Sequence, residues 1–144
     1  MNGAGQPSGY LRPLLRWALA AFMGVAGVGH LVATESFLGQ VPSVFPFRTA
    51  IVLISGVVEI GFALALVLLG GERLRRVGWA LAAFFVLIFP GNLYQALAGT
   101  DAFGLDTPAS RWGRLLAQPV FIVWALWSTA AWPRQAPRPT SSER

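Results

Sequence analysis

Four stretches of this chain are long, apolar and almost free of charge, and they constrain the fold more than any other feature. They cover residues 17–34, 49–71, 77–100 and 115–133, and the only residues in them that can carry a charge are His30 and Glu59. A helix needs about 20 mostly apolar residues to cross a bilayer, and backbone polar groups in lipid must be bonded within their own segment. We therefore predict an all-α fold: a polytopic membrane protein with a bundle of four transmembrane helices.

The domain organisation follows from where these runs begin and end. Proline, serine, glutamine and arginine are frequent outside them, which is typical of disordered tails. Pro42 and Pro46 rule out a regular helix between the first two runs, and the phenylalanines around them favour a segment on the membrane surface. We predict a single transmembrane domain over residues 14–132, with helices at about 14–34, 49–70, 76–99 and 113–132, a membrane-surface loop at 35–48, and disordered cytoplasmic tails at 1–13 and 133–144.

Composition supports the membrane interpretation over two alternatives. Charged residues make up 12% of the chain, whereas soluble domains carry roughly 25%. A soluble domain of this size must cover a large surface with polar groups, so a soluble helical core is the weaker alternative. The first run could also be a signal peptide with a basic start at Arg12 and Arg16. We favour a span, because the run is long and lacks a convincing small-residue exit.

The basic residues predict an orientation rather than a nucleic-acid partner. The net charge is +5 and all eleven basic residues are arginines. They flank the apolar runs and form no basic face, which argues against nucleic-acid binding. With four spans, eight arginines lie on the side of the two termini and three (Arg48, Arg111 and Arg114) on the other side. Because cytoplasmic loops carry the excess of arginine and lysine, we predict that both termini are cytoplasmic.

Residue types exclude several kinds of redox chemistry within the chain. There is no cysteine and a single histidine. Disulfides, thiol redox chemistry, cysteine-ligated iron–sulfur clusters and a haem held by two histidines of one chain are therefore excluded. We find no nucleophile–base pair, metal-ligand spacing or phosphate loop. We predict no catalytic or metal-binding residues and do not expect an enzyme that works alone.

Polar side chains inside the apolar runs are the best candidates for a functional site, because they are costly in lipid and usually face the bundle interior. Runs one and three carry theirs late and runs two and four carry theirs early, so all of them lie at the same depth, in the outer half of the bundle. Glu59 needs a partner such as His30 or Arg114, because a lone buried acid favours its neutral form. The predicted ligand-binding or polar cluster consists of His30, Ser55, Glu59, Asn92, Arg114 and Gln118. The alternative is that these residues only bond helices to one another.

These elements resemble the DoxX family of small bacterial and archaeal membrane proteins, and in particular its DoxX-like branch. The resemblance covers about 70% of the chain, from Gly27 to Trp127. The matching stretches are Gly27-Val28-Gly29-His30, Phe37 with Val41-Pro42 and Pro46, Ser55-Gly56-Val57-Val58-Glu59-Ile60-Gly61, Arg76, Phe89-Pro90-Gly91-Asn92, and Arg114-Leu115-Leu116-Ala117-Gln118 with Trp124 and Trp127.

The resemblance implies a multi-pass subunit in a bacterial or archaeal plasma membrane. The family takes its names from small subunits of quinone-linked oxidoreductases, which implies a quinone as ligand and a redox partner subunit. A homo-oligomer is the alternative to a partner subunit. The first functional hypothesis is thus a quinone-associated accessory subunit of a membrane oxidoreductase complex. The second is a structural or scaffolding membrane protein without a ligand. The third is a small-solute or proton carrier, which an acid and an asparagine on facing helices would suit.

Overall fold

Five α-helices and one 3-10 turn form the part of the chain that this computed structural model describes, residues 8–102 and 104–133. No strand occurs within those residues. In chain order the helices are α1 (Ser8–Val32), α2 (Thr34–Phe37), α3 (Arg48–Leu68), α4 (Gly71–Ala98) and α5 (Pro108–Ser128), and the 3-10 turn at Leu38–Gln40 follows α2. The predicted all-α class is confirmed.

Three helices within the described residues are long and apolar enough to cross a membrane: Gly9–Val32, Arg48–Leu68 and Gly71–Ala98. This supports a lipid environment for the protein. Helix α5 is as long as α3, at 21 residues. Arg111 and Arg114 lie in its first two turns and make it more polar than α3. It is therefore not among the three.

Several predicted boundaries differ from the structure. Helix α1 begins at Ser8 rather than at residue 14, so residues 8–13 are helical and not a disordered tail. Helix α4 begins at Gly71, five residues before the predicted start. Helix α3 lies within two residues of its predicted bounds. The remaining parts of the two predicted tails, residues 1–7 and 134–144, lie outside the described residues.

Helix α5 was placed too late by the prediction, which gave 113–132 instead of Pro108–Ser128. It begins early because the Thr107 side chain accepts from the Ser110 amide while the Ser110 hydroxyl accepts from the Thr107 amide. This reciprocal cap, followed by Pro108, fixes the first turn. The helix ends at Ser128, and two residues later Ala130 adopts a φ of 55°, which an α-helix cannot accommodate.

The four long helices pack as two pairs, α1 with α3 and α4 with α5, and the two pairs meet through lighter α1–α5 and α3–α4 contacts. A core of leucine, alanine, methionine and phenylalanine side chains fills the bundle, and Leu19, Leu66 and Leu81 are fully buried there. Both pairs are antiparallel hairpins, so that the chain runs up and down between two ends of the bundle.

Two glycines set the spacing of α1 and α3. A Cβ atom added at Gly27 would lie 2.7 Å from the carbonyl oxygen of Gly56, and one added at Gly56 would lie 2.8 Å from the carbonyl oxygen of Gly27. Real Cβ atoms are not found this close to a backbone atom. The absence of a side chain at both positions therefore allows the two backbones to touch, as small residues do between membrane helices.

Candidate functional site

A histidine–carboxylate pair lies beside the glycine contact between α1 and α3. Gly27 precedes His30 by three residues and Gly56 precedes Glu59 by three, so each glycine shares a helix face with its polar neighbour. Nδ1 of His30 is 3.0 Å from Oε2 of Glu59 and 2.8 Å from the carbonyl oxygen of Ala26. Both side chains are buried, at 8% and 6% exposure. Glu59 thus has one of the partners that the sequence predicts.

The environment of the imidazole assigns its tautomer. The Ala26 carbonyl can only accept a hydrogen bond, so Nδ1 of His30 carries a proton. Because that N–H is directed to Ala26, the buried Oε2 of Glu59 receives no hydrogen bond from the described residues. Nε2 of His30 bonds to none of the described residues. The imidazole ring stacks on the ring of Phe37 at a centroid distance of 4.0 Å. The pair therefore has one unused nitrogen, and neither carboxylate oxygen of Glu59 accepts a hydrogen bond from the described residues.

An amide pair connects α4 to α5 at the same depth. Nε2 of Gln118 donates to the carbonyl oxygen of Phe85 at 2.7 Å, which makes its Oε1 the acceptor, and Nδ2 of Asn92 donates to that Oε1 at 2.7 Å. Phe85 lies five residues before Pro90. Pro90 has no N–H to donate, and the proline ring crowds the preceding turn of α4. Helix α4 nevertheless continues through Pro90 to Ala98. The bonds assign both amide orientations and leave Oδ1 of Asn92 without a partner among the described residues.

The segment between α1 and α3 covers this end of the bundle and supplies a further polar group. Arg48 donates to the carbonyl oxygens of Leu38 and Val41, and Thr100 donates to the carbonyl oxygen of Gly39 at 2.7 Å. The 3-10 turn is thereby held against the start of α3 and the end of α4. Oε1 of Gln40, at the end of the turn, accepts from Nη2 of Arg114 at 3.0 Å.

Arg114 brings a positive charge to the site. Its hydrogen bond to Gln40 uses only one of five guanidinium N–H groups. Histidine, carboxylate and guanidinium side chains are therefore assembled from α1, α3 and α5.

These groups surround a cavity of about 460 Å³ between α1, α4 and α5. Its walls are mostly apolar and aromatic, and its polar groups come from His30, Glu59, Asn92, Ser110, Arg114 and Gln118. The aromatic lining residues are Phe22, Phe37, Phe85 and Phe121. A smaller cavity of about 100 Å³ adjoins it and shares His30, Glu59, Asn92 and Arg114. An apolar pocket of some hundreds of cubic ångströms with a few convergent polar groups is the usual form of a small-molecule site.

The structure brings all six predicted site residues to these two cavities. Ser55 lines only the smaller one, and the other five line the larger one. Sequence reasoning missed Gln40 and Phe37, which belong to the segment after α1 and whose position depends on the contacts of Arg48 and Thr100. Within residues 8–102 and 104–133 no group of three or more histidine, cysteine, aspartate or glutamate side chains could hold a metal ion.

Comparison with known proteins places the chain in a family. The family model described as "Domain of unknown function (DUF8561)" matches residues 19–129. No curated protein and no solved structure matches the chain. The match extends from the core residue Leu19 in α1 to Thr129 just after α5, so it includes both helix pairs and every residue of the site. The chain therefore belongs to the family described as "Domain of unknown function (DUF8561)".

Proposed function

We propose that this protein is a DoxX-like, quinone-associated accessory subunit of a membrane oxidoreductase complex. It spans the plasma membrane of a bacterium or archaeon four times, with both termini in the cytoplasm. The observation that carries the proposal is the cavity of about 460 Å³, which combines aromatic walls with a histidine–carboxylate pair and two amides.

The distribution of arginines supports the topology. Helix α5 is antiparallel to α4 and as long as α3, and in this proposal it forms the fourth span. Eight arginines of the sequence lie near the start of α1, near the start of α4 or after α5, and the other three lie near the starts of α3 and α5, at the opposite end of the bundle. The excess marks the cytoplasmic side. The cavity then opens in the outer half of the membrane.

The lining of the cavity suits a quinone ring. Phe22, Phe37 and Phe121 offer apolar faces for the ring, and aromatic rings prefer stacked or edge-to-face neighbours. A ring oxygen needs a hydrogen-bond partner when it leaves water. The unused N–H groups of Arg114 can donate to a quinone carbonyl oxygen, and Nε2 of His30 and Oδ1 of Asn92 can accept from the hydroxyl groups of the reduced quinol.

The histidine–carboxylate pair provides a place for a proton. With Nδ1 protonated, the neutral imidazole of His30 can accept a proton at Nε2 from a quinol hydroxyl. Glu59, 3.0 Å from Nδ1, stabilises the resulting imidazolium. A partner subunit provides the centre that exchanges electrons with the quinone, since this sequence has no cysteine and one histidine.

A scaffold without a ligand is the second candidate, and the amide pair favours it. Asn92, Gln118 and Phe85 are joined by two bonds of 2.7 Å, so they connect α4 to α5 without any third molecule. Bonds of this kind contribute about 0.6 kcal/mol each in membrane bundles. On this reading substitutions at the site lower stability and change no binding.

Binding of a short-chain benzoquinone to the full-length chain in detergent micelles separates the two candidates. Glu59→Gln keeps the shape of the side chain and removes its charge, and Glu35→Gln, at an exposed position in α2, is the matched control. We expect weaker benzoquinone binding for Glu59→Gln and wild-type binding for Glu35→Gln, with both variants folded. Equal binding by the wild type and Glu59→Gln would contradict the proposal, and no binding by any of the three would favour the scaffold.

A further inference from the structure

An apolar groove runs along the outside of the bundle at the contact between α1 and α5. It has a volume of about 560 Å³ and is lined by Leu15 on α1 and by Pro119, Val120, Val123, Trp124 and Trp127 on α5, with no polar lining surface. It follows α5 from Pro119 to Trp127, which are eight positions apart and therefore about 12 Å apart at 1.5 Å per residue. Nε1 of Trp124 donates to the carbonyl oxygen of Leu15 at 2.9 Å. This indole N–H is therefore bonded within the bundle.

Two arginines lie at the end of the groove where α1 begins. The guanidinium carbon of Arg12 is 5.1 Å from the centre of the Trp127 ring, and Arg16 follows one turn later on the same face of α1. Both side chains are half-buried, and the Nε atom of each is buried and has no hydrogen-bond partner among the described residues. Neither arginine forms an ion pair with a described acid.

The other arginines near that end differ in this respect. Arg75 and Arg76 pair with Glu72 within α4, while Arg73 is exposed at the start of the same helix. Arg12 and Arg16 thus combine partial burial, unused donors and an adjoining apolar groove. A guanidinium matches a phosphate through two parallel hydrogen bonds, and basic pockets beside membrane helices on the cytoplasmic side bind anionic lipid headgroups.

We propose that this groove is a binding site for an anionic phospholipid, whose phosphate contacts Arg12 and Arg16 and whose acyl chain lies against Val120, Val123 and Trp124. The site faces the cytoplasmic leaflet in the orientation given above. It depends on that topology and is independent of any quinone, because no residue of the groove lines the cavity that holds His30 and Glu59.

Native mass spectrometry of the full-length chain in mild detergent tests the proposal, with phosphatidylglycerol and phosphatidylcholine of identical acyl chains as probes. The test variant is Arg12→Gln with Arg16→Gln. The control is Arg73→Gln with Arg76→Gln, which removes the same charge at the same end of the bundle. A third variant, Val120→Trp, fills the groove at an exposed position and leaves the arginines in place.

We expect the wild type and the control to bind phosphatidylglycerol more tightly than phosphatidylcholine. Loss of Arg12 and Arg16 should weaken phosphatidylglycerol binding roughly tenfold to thirtyfold, and Val120→Trp should weaken binding of both lipids. Equal affinity for the two lipids, or equal loss in the test and control variants, would overturn the proposal. A dimer that Val120→Trp dissociates, without any change in lipid binding, would overturn it in favour of an interface between two copies of this chain.

Discussion

The contact between Gly27 and Gly56 is the point at which a single methyl group should disturb the candidate site most directly. In Gly56→Ala the new Cβ would lie 2.8 Å from the carbonyl oxygen of Gly27 and 2.8 Å from Cβ of His30. Neither atom belongs to the far end of a flexible side chain. Helices α1 and α3 must therefore separate, and His30 must move with α1.

The size of the shift follows from those distances. Ordinary van der Waals contact begins at 3.4 Å, so the two backbones must separate by about 0.6 Å. The same movement lengthens the contact between His30 and Glu59 from 3.0 Å to about 3.6 Å. Overpacking of this kind costs typically 1–3 kcal/mol. It is opposed by the higher helix propensity of alanine, which is about 1 kcal/mol more favourable than that of glycine.

Gly61→Ala is the matched control, because Gly61 lies on the same helix and a Cβ there meets nothing within 4 Å. It gains the propensity and loses no packing. We expect the free energy of unfolding of Gly56→Ala, measured by reversible denaturation in detergent micelles, to lie about 1–3 kcal/mol below that of Gly61→Ala. Benzoquinone binding should weaken in Gly56→Ala and stay unchanged in Gly61→Ala. Equal stability of the two variants would refute the argument that the glycine contact sets the spacing of α1 and α3.

Three further predictions concern other contacts that position the site. Gln118→Leu removes the bonds to Asn92 and Phe85 and should lower the free energy of unfolding by about 1 kcal/mol, from two bonds at roughly 0.6 kcal/mol each. The effects of Gln118→Leu and Asn92→Leu on the free energy of unfolding should be non-additive in a double-mutant cycle. Additive effects would mean that the amide pair is not formed. Arg48→Gln should release the carbonyls of the 3-10 turn and speed amide hydrogen exchange in that turn, whereas unchanged exchange would show that other contacts hold it. Thr107→Ala removes the cap of α5 and should cost about 1 kcal/mol, measured by the same denaturation assay, and a wild-type value would contradict the role of the cap.

The long apolar runs were sufficient to predict the four long helices but not the short helix α2, because a run that can span a bilayer must bond its backbone internally. The ends of the helices depended on weaker local effects. The start of α5 is set by Thr107 and Ser110 in a polar stretch that resembles a loop. The pairs Glu72–Arg75 and Glu72–Arg76 support the early start of α4. Neither feature alters the apolar pattern from which the boundaries were predicted.

The polar cluster was accessible to sequence reasoning for a different reason. Polar residues at matching depths meet when they face the bundle interior, so the positions of His30, Glu59 and Asn92 along their runs predict one cluster. The equal spacing of Gly27 to His30 and of Gly56 to Glu59 is also visible in the sequence, although only the structure shows that the glycines touch.

The contribution of the segment between α1 and α3 could not be predicted from the sequence. Gln40 reaches Arg114 only because Arg48 and Thr100 hold the 3-10 turn in place through bonds to its carbonyls. Such bonds join positions that are far apart in sequence and carry no periodic pattern. The same holds for the choice of helix pairs, α1 with α3 and α4 with α5, which the apolar runs leave open.

The most direct test of the proposed function is native mass spectrometry, with quinone extraction, on the protein purified gently from its own membrane. We expect a quinone to co-purify with the chain, alone or with a redox partner subunit, and we expect it to be lost in Glu59→Gln and kept in Glu35→Gln. A chain that carries only phospholipid in every mild detergent would contradict the proposed function, and the polar residues around His30 and Glu59 would then serve only to hold the helices together.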